Sequence, residues 1–355
     1  MLIVDAHIDL AYSALRFNRD LRQPLHEIRE REAKRKSNPA GVITVTIPQL
    51  IEGRVGLVFG TLFAMPEAEN KAIPANRRLV YAGAQEAYAA AGEQLDYYWR
   101  LADEMEQLRV VGDRQTLEEV IASHDHENGM PLLGFVPLME GADAVRDPRE
   151  LEEWYERGLR LIGPAWQDTR YAHGVGSSDG FTNDGLFLME VMADLGFMLD
   201  VTHLSEKATF QAFERYEGQV VATHCNARTL VPGPRQLSDD QIRRLAERDG
   251  VVGVVFFNRF LKAGYTNTDP KESVTLQHVA AHIDHICQLL GDAAHVGIGS
   301  DMDGGFGLNH TPAEIDSSAS LPQLGSVLAE RGYSQQDIAA ILGQNWIDLL
   351  RRVWK

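Results

Sequence analysis

The chain has 355 residues, 44% of them hydrophobic, and its 34 Lys and Arg against 51 Asp and Glu give a net charge of −17. This acidic balance argues against nucleic acid or an anionic membrane as the main partner, and the hydrophobic content allows a sizeable core. Two cysteines are too few for a disulfide framework, and no apolar run approaches the ~20 residues of a membrane span. No signal peptide is visible either. We therefore expect a soluble cytoplasmic protein.

The first predicted strand runs from apolar residues directly into polar ones, in the stretch MLIVDAHIDL. Residues two apart in a strand share a face, so His7 and Asp9 point the same way, and Asp5 joins them if the strand continues straight. Burial of an imidazole or a carboxylate without a partner costs free energy, so we expect these side chains to have partners. His-x-Asp offers one nitrogen and one oxygen donor, which suits zinc, although a surface turn would also explain so short a pattern.

Strand-like and helix-like segments then alternate along the chain. A second strand is predicted over residues 55–63 and an alanine-rich helical stretch from about 76 to 108, and six further apolar segments follow: PLLGFVPLME, RLIGPAW, GFMLDVTH, VVATHC, GVVGVVFF and HVGIGSD. Eight such strands predict an α/β fold, a parallel (β/α)8 TIM-type barrel with a helical insertion after strand 2 and a helical C-terminal closure, as one domain over 1–355. A doubly wound open sheet is the alternative, and the lack of GxGxxG after the first strand disfavours it.

Polar side chains stand where several of these strands end. They are His7 and Asp9 after strand 1, Glu140 after strand 3, His203 after strand 5, His224 after strand 6, and Asp301 with Asp303 after strand 8. Each alone could be a cap or a satisfied core histidine. Because the carboxyl ends of barrel strands form one face, we expect these side chains to converge on one mouth, where they indicate a metal site.

The convergent residues divide into two candidate metal sets. One set is His7, Asp9 and Glu140, and the other is His203 with His224, so a carboxylate shared by two ions would complete both, and Glu140 is the obvious bridge. Two ions about 3.5–4 Å apart could share a hydroxide and polarise a substrate carbonyl. A nitrogen and oxygen donor set without thiolates suits zinc, with manganese or cobalt as substitutes.

Five motifs together carry a family likeness: DAHIDL, MEGAD, LDVTHLSEKA, VVATHCNARTLVPGPRQLSDDQIRRLAERDGVVGV and HVGIGSDMDG. With them the chain resembles the membrane (renal-type) dipeptidase family, a branch of the amidohydrolase barrels. The likeness covers most of the chain and is thinnest between about residues 66 and 130. The third to fifth motifs are long and specific together, whereas MEGAD alone would be weak.

The resemblance implies a role for each matched residue. His7 and Asp9 would hold the first of two zinc ions, Glu140 would bridge, His203 and His224 would hold the second, Asp301 would shuttle a proton, and Arg235 would bind the terminal carboxylate of the substrate. A guanidinium suits that two-point contact. Without the resemblance, a salt bridge within the PGPRQ turn is the simpler explanation of Arg235.

The chain also departs from the family pattern. The archetype has a substrate-contacting histidine at the end of the fourth strand, where this chain has Trp166, whose indole N–H can only donate. His173 lies seven residues further on, more simply as a loop histidine, and Phe257 stands near the place of an archetypal tyrosine. We therefore expect Trp166 to contact the substrate in a less polar pocket.

Four further residues lie near the predicted site residues or in the same strands, and none is predicted to bind a metal. Asp5 is expected to orient a ligand histidine, as outer carboxylates often do, and Asp303 to cap a loop or support the site. His295 begins the last strand, at the opposite end of the barrel, and is expected to be structural. Cys225 follows His224 and therefore points to the other face of a regular strand.

These residues predict a two-metal hydrolase, and the resemblance implies that it is a binuclear zinc hydrolase of dipeptides. Tolerance of a C-terminal D-residue is likewise implied by the resemblance. The nearest alternative is a hydrolase of another small amide, an N-acyl amino acid or a lactone, which Trp166 and Phe257 motivate. A metal-binding barrel without catalysis is a third possibility, disfavoured because binding alone needs no Asp301. By analogy with relatives, a homodimer is the expected assembly.

Overall fold

The computed structural model describes residues 1–35, 37–73, 75–125 and 130–354. Its strands are β1 Ile3–Ile8, β2 Val55–Phe63, β3 Met65–Pro66, β4 Val80–Tyr81, β5 Leu108–Val110, β6 Leu133–Glu140, β7 Leu161–Gly163, β8 Met198–Asp200, β9 Val220–Val221, β10 Val252–Val254 and β11 Val296–Ile298. The longest, β1, β2 and β6, are buried at every position. Strands covered on both faces read as continuous apolar runs rather than alternating ones, which is the pattern of a parallel sheet.

Eight of these strands form a parallel barrel, in the order β10, β11, β1, β2, β6, β7, β8, β9. A parallel bridge between Ala222, just after β9, and Val252 in β10 brings the two ends of the sheet together. The predicted barrel is therefore confirmed, and each barrel strand falls within a segment that the sequence predicts. β5 is an additional strand that pairs with the first half of β6.

The helices surround the barrel. They are α1 Leu10–Phe17, α2 Leu25–Ala33, α3 Ile47–Glu52, α4 Ala84–Glu104, α5 Arg114–Ser123, α6 Leu151–Glu156, α7 Asn183–Leu195, α8 Glu206–Arg215, α9 Asp239–Ala246, α10 Asn258–Leu261, α11 Leu276–Leu290, α12 Gln323–Glu330, α13 Gln335–Ala339 and α14 Asn345–Val353. A π-turn at Ala340–Gln344 joins the last two. The predicted cap at Ser238 is present, because its side chain and that of Gln241 form a capping box at the start of α9.

The connection from β2 to β6 differs from the sequence prediction. The predicted helix over about 76–108 is shorter in the structure, where α4 begins after the extended N-cap residue Gly83 and ends before Met105, which is also extended. The residues before α4 include β4, which pairs with β3. Val80 and Tyr81 have β-branched and aromatic side chains, which favour a strand over a helix. β5 and α5 complete the connection.

The C-terminal helices close one side of the barrel. Val4 and Ala6 lie on the face of β1 opposite Asp5 and His7, and they join an apolar cluster with residues of α5 and α14. Trp346 of α14 is fully buried there, and its indole Nε1–H donates to the Ile298 carbonyl at 3.1 Å. The alternation along β1 thus sends apolar side chains outward to helices and polar ones inward.

Candidate metal centre and active site

The polar residues predicted from the strand ends lie together at the carboxyl end of the barrel. Glu140 is the last residue of β6, and Asp9 is the N-cap residue of α1 immediately after β1. His203, His224 and Asp301 each lie three residues beyond their strands. His203 and Asp301 have positive φ angles of 69° and 59°, a strained backbone region that is concentrated at functional sites.

Glu140 lies at the centre of the cluster. Its Oε1 atom is 3.1 Å from His203 Nε2, 3.5 Å from His224 Nε2 and 3.7 Å from His7 Nε2. The Nε2 atoms of His203 and His224 are 3.0 Å apart. Imidazole nitrogens from three separate strands thus converge on one carboxylate, and Glu140 lies within reach of both predicted metal sets.

Asp9 and Asp301 extend the cluster on the side of His7. One donor atom each from His7, Asp9 and Asp301 lie within 4.8 Å of one another, and the same holds for His7, Glu140 and His224. Asp301 Oδ1 is 3.9 Å from His7 Nε2. Asp9 Oδ1 accepts a hydrogen bond from the Thr61 hydroxyl, which orients this carboxylate. The two groups share His7, so the cluster is continuous.

The electrostatics of the cluster favour a bound cation. Burial raises the pKa of Asp9 to about 6 and, together with the charge of Asp9, raises the pKa of Glu140 and of Asp301 well above the usual carboxyl range. Burial lowers the pKa of His7 to about 3, so its ring is neutral and its lone pair is available. Crowded carboxylates and neutral imidazoles are the ligand set that a divalent ion satisfies.

His7 itself offers a direct test of fit. Within the part of the chain that the structure describes, its buried Nε2 atom has no hydrogen-bond partner, although it faces Glu140 and Asp301. A buried nitrogen that lacks a partner is costly, and coordination of a metal would satisfy it. The cluster contains nitrogen and oxygen donors without a thiolate, so the residues fit zinc, with manganese or cobalt as alternatives.

A threonine behind the cluster holds two of the histidines. The Thr223 hydroxyl is 2.5 Å from Asp200 Oδ2, 3.0 Å from His224 Nδ1 and 3.4 Å from His7 Nδ1. Because its one proton goes to Asp200, its lone pairs remain for the Nδ1–H groups of both rings. That pattern leaves Nε2 of each ring unprotonated and turned toward Glu140, as outer hydrogen bonds do for metal-binding histidines.

Thr223→Val is therefore expected to weaken metal binding by about 10- to 100-fold, since both rings lose the acceptor that sets their tautomer. Competition with a chromophoric chelator measures this affinity. Thr209→Val is the matched control, because Thr209 is equally buried but its hydroxyl donates to the Ser205 carbonyl and contacts neither histidine ring among the described residues. Equal metal affinities of the two variants would contradict the positioning role of Thr223.

Arg235 lies beside the second pair of histidines. Its Nη2 donates to the His224 carbonyl at 3.0 Å and is 3.4 Å from His203 Nε2, while Nη1 contacts Cys225 Sγ at 3.3 Å. Among the described residues no carboxylate lies within 4.0 Å of its guanidinium, so the structure does not support the simpler salt-bridge explanation. The guanidinium therefore lies beside the second pair of histidines without a carboxylate partner among the described residues.

A cavity of about 460 Å³ opens above the cluster. Trp166 lines it, with its ring 5.0 Å from that of Phe63 and 6.3 Å from that of His203, and Phe257 lines it stacked on Phe306 at 4.5 Å. Aromatic rings therefore form part of the cavity wall. Asp9, Glu140, His203, His224, Arg235 and Asp301 also line the cavity.

The supporting residues fall partly as predicted. Asp303 caps a loop by accepting the backbone N–H groups of Thr44 and Val45, which confirms one of its two predicted roles. The prediction for Asp5 is wrong in detail, because its carboxylate accepts from the Ser300 backbone and hydroxyl and from the His7 backbone N–H. Asp5 thus joins the ends of β1 and β11, and it holds backbone rather than a histidine ring.

The three remaining predictions concern residues outside the cluster. His173 lies in a loop with Nδ1 3.2 Å from Asp168 Oδ2, and His295 bonds the Gly250 carbonyl before β11. Cys225 is buried against Arg235 and outside the metal-binding groups of the described residues. Sequence reasoning missed Thr61, Asp200 and Thr223. A signal existed for Asp200 and Thr223, which lie close to His203 and His224 in the chain.

A parallel barrel with carboxylates and imidazoles gathered at its C-terminal mouth is typical of metal-dependent hydrolases. The sequence profile of the membrane dipeptidases, peptidase family M19, matches residues 1–355. The chain therefore belongs to the membrane dipeptidase family. No helix among the described residues has the length and apolar character to cross a membrane.

Individual relatives agree with this assignment. An uncharacterized protein in the pqqA 5′ region of Klebsiella pneumoniae is 34% identical over 277 residues, 74% of this chain and 98% of its own. An uncharacterized dipeptidase of Schizosaccharomyces pombe is 28% identical over 314 residues, 86% of this chain and 71% of its own. A metallopeptidase of Rhodobacter sphaeroides, solved with a phosphinate mimic of L-Ala-D-Ala, has a TM-score of 0.80 at 26% identity and covers 100% of this chain and 99% of its own.

The family match and these neighbours confirm the predicted family, the predicted barrel and the predicted class of enzyme, a peptide-bond hydrolase of dipeptides.

Proposed function

We propose that this chain, as one hydrolase domain over 1–355, cleaves dipeptides at a centre of two zinc ions. His7 and Asp9 would hold one ion, His203 and His224 the other, and Glu140 both. The observation that carries the proposal is the convergence of the three Nε2 atoms on Glu140 Oε1, within 3.1–3.7 Å. Manganese or cobalt would bind the same donors.

Bound metal ions would supply Lewis-acid polarisation of the scissile carbonyl and a water of lowered pKa at this centre. Asp301 would move the proton. Its carboxylate is in the cluster and lines the cavity, and burial raises its pKa, which lets it accept a proton and later donate it to the leaving amine. The Nε2 atoms stay unprotonated because burial lowers the pKa values of the three histidines.

Arg235 is proposed to bind the C-terminal carboxylate of the dipeptide, which limits substrates to short ones with a free C-terminus. Its guanidinium lies across the ring of Phe260 at 5.2 Å, with a buried Nε that has no partner among the described residues. Trp166 and Phe257 contribute apolar contact for the substrate side chains. A D-residue at the C-terminal position would be accepted if the cavity takes the side chain in either direction.

Two further parts of the proposal concern the protein in the cell. We infer a cytoplasmic location from two free, buried cysteines, which suit a reducing compartment. We infer a homodimer from the family resemblance.

Arg235→Met is expected to raise the KM for L-Ala-L-Ala by about 10- to 100-fold, because a charge-assisted contact to the substrate carboxylate is lost. Steady-state kinetics of the zinc-loaded protein measure this. The matched control is Arg228→Met, since Arg228 belongs to the same loop but bonds Glu206 and Gln236. A KM that Arg235→Met leaves unchanged would contradict the role in carboxylate binding.

The proposed function is tested with zinc-loaded protein on a panel of dipeptides with C-terminal L- and D-residues, beside N-acetylated amino acids and lactones. Release of free amino acids that stops with a chelator and returns with zinc is the expected result. Turnover of N-acyl amino acids or lactones without dipeptide cleavage would contradict it and favour the alternative that the aromatic walls motivate.

A further inference from the structure

A second arginine of the active-site cavity has no role in the account so far. Arg16, in α1, is only 5% exposed and lines the same cavity as Arg235. Its guanidinium donates to the Arg78 carbonyl and, at 2.7 Å, to Asn70 Oδ1. Both acceptors are neutral, and no carboxylate of the described residues lies within 4.0 Å of the Arg16 guanidinium.

The neighbouring arginine shows how this fold treats a structural charge. Arg19, three residues further along, is 3% exposed and makes two hydrogen bonds of 2.9 Å to the carboxylate of Glu32. Buried charges are normally paired in this way, because an uncompensated buried charge is costly. Arg16 is equally buried and lacks such a partner, so its charge remains available to an anion that enters the cavity.

The two cavity arginines follow different, non-adjacent strands of the barrel. Arg16 follows β1, whereas Arg235 follows β9, and the barrel order separates β1 from β9 by two strands in one direction and four in the other. The cluster has residues from both places, because Asp9 follows β1 and His224 follows β9. With the C-terminal carboxylate at Arg235, the N-terminal residue of a dipeptide would extend past the cluster toward the part of the cavity that Arg16 lines.

The surface between Arg16 and the cluster is aromatic. The Arg16 guanidinium lies 5.6 Å from the ring of Tyr12, which is 5.0 Å from Phe63, which in turn is 5.0 Å from Trp166. All three rings line the cavity. Such a row accommodates the methylene groups of a side chain, and the guanidinium at its end accommodates a carboxylate.

We propose that Arg16 forms a second anion subsite, so that the preferred dipeptides carry a carboxylate on the side chain of their N-terminal residue. This inference rests on the proposed function, because it assumes that a dipeptide occupies the cavity with its C-terminus at Arg235. The inference goes beyond the proposed function because it names a substrate class, dipeptides with an N-terminal glutamyl or aspartyl residue. It also names the residue that would select them, Arg16, which lies outside the metal cluster.

The test compares two nearly isosteric substrates, L-Glu-L-Ala and L-Gln-L-Ala. The zinc-loaded wild-type protein is expected to show a kcat/KM about 10- to 100-fold higher for Glu-Ala, the size of one charge-assisted hydrogen bond. In Arg16→Gln and Arg16→Met this ratio is expected to fall to about one, whatever the absolute rates. Arg16→Lys keeps the charge and should keep part of the preference.

Arg22→Gln is the matched control for a general loss of positive charge near α1. Arg22 is exposed, pairs with Asp20 and Glu104, and does not line the cavity, so this variant should keep the Glu-Ala preference. If the Arg16 variants do not fold, inhibition of the wild type decides: L-glutamate should inhibit with a Ki at least about tenfold below that of L-glutamine.

The outcomes distinguish failure of the Arg16 subsite from failure of the proposed dipeptide hydrolysis. If the wild type cleaves dipeptides with a Glu-Ala to Gln-Ala ratio of kcat/KM near one, the Arg16 subsite is overturned and the proposed dipeptidase function is not. Equal inhibition by L-glutamate and L-glutamine has the same meaning. Arg16 would then only anchor the segment of Asn70 and Arg78. A preference that persists in Arg16→Met also overturns it. No cleavage of any dipeptide overturns the proposed function and the subsite together.

Discussion

Glu140→Gln is expected to remove both metal ions and to lower activity by at least about a thousandfold, because the glutamine amide cannot supply the bridging negative charge. Elemental analysis of metal per folded chain and turnover of a dipeptide measure the two effects. Burial raises the pKa of Glu140, so its charge destabilises the metal-free fold at pH 7. The metal-free variant should therefore melt at or above the temperature of the metal-free wild type.

The matched control is Glu32→Gln. Glu32 is a buried glutamate as well, but it pairs with Arg19 and lies outside the cavity. This change should lower thermal stability while the metal content per folded chain stays at the wild-type level. Full metal content in Glu140→Gln would contradict the bridging role.

Asp301→Asn is expected to keep the metal content and to lower kcat by about 10²–10⁴-fold, because the amide cannot accept and return the proton. Metal analysis and steady-state kinetics on the same sample separate binding from chemistry. The variant differs from Glu140→Gln in this respect, since Asp301 is proposed to carry a proton whereas Glu140 is proposed to bind both metal ions.

Asp303→Asn is the control for this second prediction. Asp303 lies two residues further on, is buried, and has a similar positive φ of 63°, but its carboxylate binds the Thr44 and Val45 backbone. Its replacement should lower stability and leave kcat close to that of the wild type. Full activity in Asp301→Asn, or an equal loss of kcat in both variants, would contradict the proton-shuttle role.

The barrel was predictable because each strand is a short apolar run and because polar residues follow the strands in chain order. His7, Asp9, Glu140, His203 and His224 each stand where a strand ends, and parallel strands bring their ends to one face. The positions of these five residues could be predicted because each depends only on where its own strand ends in the sequence. The helix predicted over 76–108 was too long, because alanine content indicates that a helix is present but does not indicate where it begins. In the structure α4 begins only after Gly83, whose backbone is extended.

The residues that sequence reasoning missed depend on contacts between distant segments. Thr223 acts on His7 from 216 positions away, and Arg16 bonds Arg78 from 62 positions away. The missing counter-charge of Arg16 appears only once the chain is folded, because Asp20, four positions further on, would face Arg16 if the helix continued. In the structure α1 ends at Phe17, and Asp20 pairs with Arg22. The correction to Asp5 has the same origin, since its partner Ser300 is 295 positions away.

The most direct test of the account is an anomalous difference map at the zinc edge from crystals of the zinc-loaded protein. The account predicts two peaks on either side of the Glu140 carboxylate, about 3.5–4 Å apart, one next to His7 and Asp9 and the other next to His203 and His224. A single peak, or peaks away from Glu140, would contradict the two-metal centre from which the proposed dipeptide hydrolysis is derived.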